Sequence, residues 1–100
     1  MGTSFKIEGY MVSYATKPGE VHTITLFNSS KAVAVLFFRA DGSVLPNNDL
    51  VNGIIHMFYH FKDFSNVFDL VIRVKPLNVV FNPPSTNAFC GLNTPQFIPV

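Results

Sequence analysis

Apolar and polar positions alternate with a period of two over much of the chain, which is the signature of strands with one buried face. Phe5 and Ile7 alternate first, and after Gly9 the apolar positions are Tyr10, Val12 and Tyr14. The phase slips by one residue at Gly9, as a β-bulge inside a single strand over Phe5–Ala15 would produce. Thr16-Lys17-Pro18-Gly19 has the makings of a type II turn, Pro presetting φ and Gly accepting a positive one. Val21–Phe27 reads as a second strand closed by Asn28-Ser29-Ser30. Ala32–Phe38 is a third and is apolar on both sides, with Ala32, Ala34, Leu36 and Phe38 on one and Val33, Val35 and Phe37 on the other. A strand of this kind is buried twice, by its own core and by something else. Asp41-Gly42 then marks a tight turn.

Leu50–Phe61 fits two periods. A helix would align Leu50, Ile54, Phe58 and Phe61, but Gly53 would cost it about 1 kcal/mol, and Ile and aromatic residues are poor helix formers. The preferred reading makes Asn52-Gly53 a turn and Ile54–Phe61 a fourth strand. After it, Asp63 is placed to cap a helix whose stripe is Phe64, Val67, Phe68, Val71 and Val74, widened by Leu70 and Ile72. Ser65, Asn66, Asp69 and Arg73 take the opposite side, Asp69 and Arg73 as an i,i+4 pair, and Pro76 ends the helix. Leu77–Asn82 is a short fifth strand. The pattern predicts a β-rich α+β domain over residues 1–82, in the order β-β-β-β-α-β: a small, mostly antiparallel half-barrel or roll with one helix packed on it. Residues 83–100 form a Pro-containing, loop-like tail that lies on the domain or on a partner subunit, because it keeps Phe89, Phe97 and Ile98.

Composition makes that second burial a matter of surface. Of 100 residues 36 are Leu, Ile, Val or Phe, too many for a disordered chain. Only 13% are charged, about half the usual share for a soluble domain of roughly 25%. Nine Asn supply neutral polar cover, but association into a dimer or larger homo-oligomer accounts better for so few charges. A net charge of +1 gives no strong pull toward nucleic acid or anionic membrane. The longest apolar run, Ala32–Phe38, is too short to span a bilayer. The N-terminus lacks a signal-peptide pattern, and Lys6 stands where a myristoylation motif wants Ser or Thr. With Cys90 alone no intramolecular disulfide can form, so the expected compartment is the cytoplasm.

Chemistry has few footholds. Nucleophile elbows, phosphate-binding loops, dinucleotide-binding glycines and zinc spacings are missing from the sequence. His56 and His60 would share a metal on a helix, but on a strand their Cα atoms lie about 13 Å apart. They are therefore read as a polar strand face, with no metal and no cofactor expected, and His22 as a structural residue. Asp41, Asp63, Asp69 and Glu20 have turn, cap or ion-pair roles, and nothing brings the remaining Glu8 and Asp49 together as a catalytic pair. Cys90 has no nearby cation to activate its thiol and is read as buried and inert. Tyr10, Tyr14, Phe37, Phe38 and Tyr59 could stack on bases, but the seven Lys and Arg are scattered, which disfavours nucleic acid. The sequence therefore predicts a non-enzymatic, self-associating interaction module whose interface is Val33, Val35 and Phe37. The alternative is a small-molecule-binding protein or small enzyme with an aromatic-lined pocket between helix and sheet.

Overall fold

The computed structural model describes residues 3–14, 21–73, 77–82 and 89–93. They form β1 (Thr3–Lys6), β2 (Gly9–Ser13), β3 (His22–Asn28), β4 (Lys31–Arg39), β5 (Asp49–Val51) and β6 (Ile54–His60). A 3-10 turn (Phe61–Asp63), the helix α1 (Phe64–Arg73), β7 (Asn78–Asn82) and β8 (Phe89–Asn93) follow. The strands make a five-stranded sheet, β2-β3-β4-β6-β5, and a three-stranded one, β1-β7-β8. The fold is the β-rich α+β roll that the pattern predicts, and it is not a closed barrel. It has more and shorter strands than the five expected.

The slip of phase at Gly9 is a change of sheet, not a bulge. Ile7 N–H donates to Leu77 O at 2.9 Å, and Glu8 N–H donates to Phe27 O at 2.8 Å. Two successive residues thus bond to different sheets, so the side chains on either side of Gly9 answer to different neighbours. The bulge lies instead in the β3–β4 hairpin. There Leu26 faces Ala34 and Phe27 faces Ala32, which leaves Val33 as the extra residue. The hairpin turn holds Ser29 at φ 57°, a left-handed conformation costing a non-glycine residue roughly 1 kcal/mol. The Glu8 carboxylate accepts from both the N–H and the hydroxyl of Ser29, and Asn28 Nδ2 donates to Lys6 O at 2.8 Å. Glu8, which the sequence left without a role, therefore clamps this turn.

Between β4 and β6 the pairing is parallel, not antiparallel. The chain leaves β4, skips one position, lays down β5 at the sheet edge and returns through a two-residue turn to fill the gap with β6. Asn52 and Gly53 have φ of 51° and 80°, both positive as a type I′ hairpin requires. Residues 54–60 are a strand, as preferred over the helix, and Phe61 already belongs to the 3-10 turn. That turn runs directly into α1, so Asp63 is the last residue of the 3-10 turn and not an isolated cap before the helix; its charge still favours the helix N-terminus. Phe64 and Val71 are buried, with Val67, Phe68 and Leu70 packed against the core. Asp69 and Arg73 make the expected ion pair, while Ile72 is exposed instead of widening the stripe.

β7 pairs with β1 on one side and with β8 on the other. Phe89–Asn93 of the tail is therefore strand where a loop was expected, and Cys90 stands opposite Phe81 in its register. The Thr16–Gly19 turn, Val74, Pro76, Phe97 and Ile98 lie outside the described residues, as does the side chain of Cys90. One core joins the layers: Ile24, Leu26, Leu36, Phe38, Ile55 and Met57 from the large sheet meet Phe64 and Val71 of α1 and Leu77, Val79 and Phe81 beside or on β7. Burying each such side chain is worth about 1.5–3 kcal/mol.

The type I′ turn makes a direct prediction. Gly53→Ala places a Cβ at φ 80°, so it should cost about 1 kcal/mol and lower the thermal midpoint by roughly 4–8 °C. A raised midpoint, the result expected of a helical Gly53, would contradict the hairpin.

Candidate functional site

Strand alternation gives the five-stranded sheet two chemically different faces. The inner one carries the core. On the outer one the register lines up Met11, Thr25, Val35, His56 and Asp49 across all five strands. Beside that row run Ser13, Thr23, Phe37 and Phe58, and beyond them Arg39 stands next to His60. Val35, Phe37, Ile54 and Phe58 are half-buried and lie outside the residues that pack on the core. Met11 is 59% exposed and Val51 is 39% exposed.

The two central strands build an aromatic patch in the middle of this face. Phe37 and Phe58 stack with centroids 5.1 Å apart and planes 15° from parallel. His56 packs on Phe37 at 5.2 Å. The Arg39 guanidinium lies 5.5 Å from the Phe58 centroid, within cation–π range. Arg39 Nε is shielded from solvent and has no hydrogen-bond partner among the described residues.

The loop from Ala40 to Asn48 holds this frame together. Asp41 Oδ1 accepts from Lys62 N–H at 2.7 Å, and Asn48 Oδ1 accepts from Phe58 N–H at 2.9 Å. His60 Nε2 is 2.7 Å from Ser43 O; since a carbonyl can only accept, this nitrogen carries the proton. Ser43 N–H and its hydroxyl both turn back to Ala40 O, at 3.1 and 2.6 Å.

Of the expected interface residues, Val35 and Phe37 share the outer face, whereas Val33 does not. As the bulge residue it turns inward and is 2% exposed, beside the fully buried Ala34. His56 and His60 are on one side of β6, in strand spacing. His56 is part of the aromatic patch and His60 a tie to the loop. Among the described residues no three His, Cys, Asp or Glu side chains gather as metal ligands would. The sequence reading missed Phe58 and Arg39 as members of the face. Their alternation was visible, but their place beside Phe37 follows from the parallel β4–β6 register.

The space between helix and sheet, the place of the alternative pocket, is filled with rings. Phe38 and Phe64 meet edge-on at 4.8 Å, Phe64 stacks on Phe68 at 5.9 Å, and Tyr10 contacts Phe68 at 5.7 Å. Among the described residues no polar or charged side chain is fully buried. His22, at the start of β3, joins this cluster, 5.1 Å from Tyr14 and 4.6 Å from Phe61. No helix among the described residues is long and apolar enough to cross a membrane. Comparison with protein-family models, curated proteins and solved structures gives no match.

The tie from Asn48 to the Phe58 backbone is testable by stability. Asn48→Leu leaves a part-buried N–H without an acceptor and should cost about 1–3 kcal/mol in chemical unfolding. Asn48→Asp keeps the acceptor and should lose less than half of that. Equal losses in the two variants would contradict this role.

Proposed function

We propose that this protein is a non-enzymatic interaction module that assembles with itself through the outer face of its five-stranded sheet. The observation that supports the reading is the aromatic patch of β4 and β6: Val35, Phe37 and Phe58 crowd the centre of a sheet face opposite the core. A face of five strands spaced about 4.8 Å, over seven residues of about 3.3 Å each, has a flat footprint of roughly 500 Å². Its side-chain relief makes the accessible area larger, near the ~800 Å² per partner of a standard interface. At about 25 cal/mol per Å² of apolar area, burying a few hundred Å² contributes several kcal/mol before the cost of association is subtracted. The low charge content, 13% of residues, fits a chain that hides part of its surface on a copy of itself.

A rival occupant is the chain's own tail, with Phe97 folding over the same face. Ending the chain at Asn82 would also strip β8 from β7, so point substitutions separate the two cleanly. Sedimentation equilibrium of the full chain should give twice 11.1 kDa or a higher multiple. Phe37→Gln should shift it to the monomer while the far-ultraviolet circular dichroism is unchanged. A monomeric full chain would refute self-association, and an assembly indifferent to Phe37→Gln would place the interface elsewhere.

A further inference from the structure

We propose that the outer face closes on a second copy as a two-fold dimer in which Arg39 of each protomer pairs with the partner's Asp49. The inference rests on the self-association reading and adds the geometry and specificity of the contact. By strand alternation Arg39 and Asp49 are the only Lys, Arg, Asp or Glu that the five strands direct to this face. One is positive and one negative, so the face is neutral as a whole and polarised across its width.

Within one chain the two cannot meet. Arg39 is next to His60 on β4, and Asp49 is next to His56 on β5. They are thus two strands and four residues apart, roughly 16 Å at ordinary sheet spacings. That is beyond the combined reach of the two side chains. The midpoint between them falls on β6 at Phe58. A two-fold axis lying in the interface through that midpoint, perpendicular to the line joining the pair, exchanges the two positions. Each Arg39 then stands over the partner's Asp49, Phe58 meets the partner's Phe58, and Phe37 comes near the partner's His56. The strands of the two sheets cross at roughly 70°, close to the orthogonal class of sheet packing.

Both groups suit the contact. The Arg39 guanidinium is held over Phe58, shielded on its Nε side and without a carboxylate among the described residues, so an incoming anion meets a pre-positioned, partly desolvated cation. Asp49 is exposed and on the edge strand, and among the described residues its Oδ1 accepts only from the neighbouring Leu50 N–H at 2.8 Å, so the carboxylate keeps acceptor capacity. Sheets stacked face to face lie about 10 Å apart, a gap that an extended Arg and a short Asp bridge together. A partner carrying like charge at either position is rejected, which gives an otherwise apolar face its register.

The test is a charge exchange followed by sedimentation equilibrium. Asp49→Arg alone, and Arg39→Asp alone, should each raise the dimer Kd at least 100-fold, since each creates two like-charge contacts per dimer. The double variant Arg39→Asp with Asp49→Arg restores both pairs in reverse and should return to within about tenfold of the starting Kd. If Arg39→Asp fails to fold, Asp49→Arg and the milder Asp49→Asn, expected to weaken the dimer about tenfold, carry the test. A dimer that tolerates Asp49→Arg, or a folded double variant no tighter than the singles, overturns the Arg39–Asp49 pairing and leaves self-association standing. A monomeric unsubstituted chain overturns both.

Discussion

The structure turns on one strand that is apolar on both sides. β4 occupies the middle of the five-stranded sheet, between β3 and β6. Its backbone groups are paired on both edges, and each of its faces must also be taken out of water. Leu36 and Phe38 meet α1 and the small sheet in the core. Val35 and Phe37 point the other way, where stacking on Phe58 and His56 shields them only in part. A two-sided strand is normal where helices cover both faces of a sheet. Here the described residues include one helix, and it lies on the core side.

The remaining elements arrange themselves around that constraint with a small set of polar ties. Ile7 and Glu8 hand the chain from the small sheet to the large one, and Glu8 secures the hairpin that delivers β4. Asn48, Asp41 and His60 fasten the crossing loop, so that β6 lies parallel to β4 and sets Phe58 beside Phe37. These ties are modest singly, about 0.5–1.5 kcal/mol net for an ordinary hydrogen bond. Their effect is positional: they hold an aromatic patch on regular strands, where side-chain geometry is better defined than on a loop.

Local rules made much of this legible. The β3–β4 hairpin, the Asn52-Gly53 turn and the amphipathic helix with its Asp69–Arg73 pair all follow from neighbours within four residues. What escaped depends on partners far along the chain. A strand as short as β5, and one such as β8 set among Pro and Asn, acquire their character only by pairing. The Gly9 phase slip reads equally as a bulge or a change of sheet, and only the bonds to Leu77 and Phe27 decide. Val33 was misplaced because strict alternation cannot register the extra residue opposite Leu26 and Phe27. The same gap hid Phe58 and Arg39: parallel register is a property of the crossover, not of either strand.

We infer that the Phe37–Phe58 patch is an interface between two copies of the chain. Isotope-filtered NMR on an equimolar mixture of labelled and unlabelled protein reads that contact directly, since only intermolecular proximity transfers magnetisation between the two pools. Cross-peaks are expected from the Phe58 ring of one copy to the Phe58 ring of the other, and from Phe37 to His56. Cross-peaks confined to β2 or to α1, or none at all from a protein whose relaxation is that of an 11.1 kDa monomer, would contradict it.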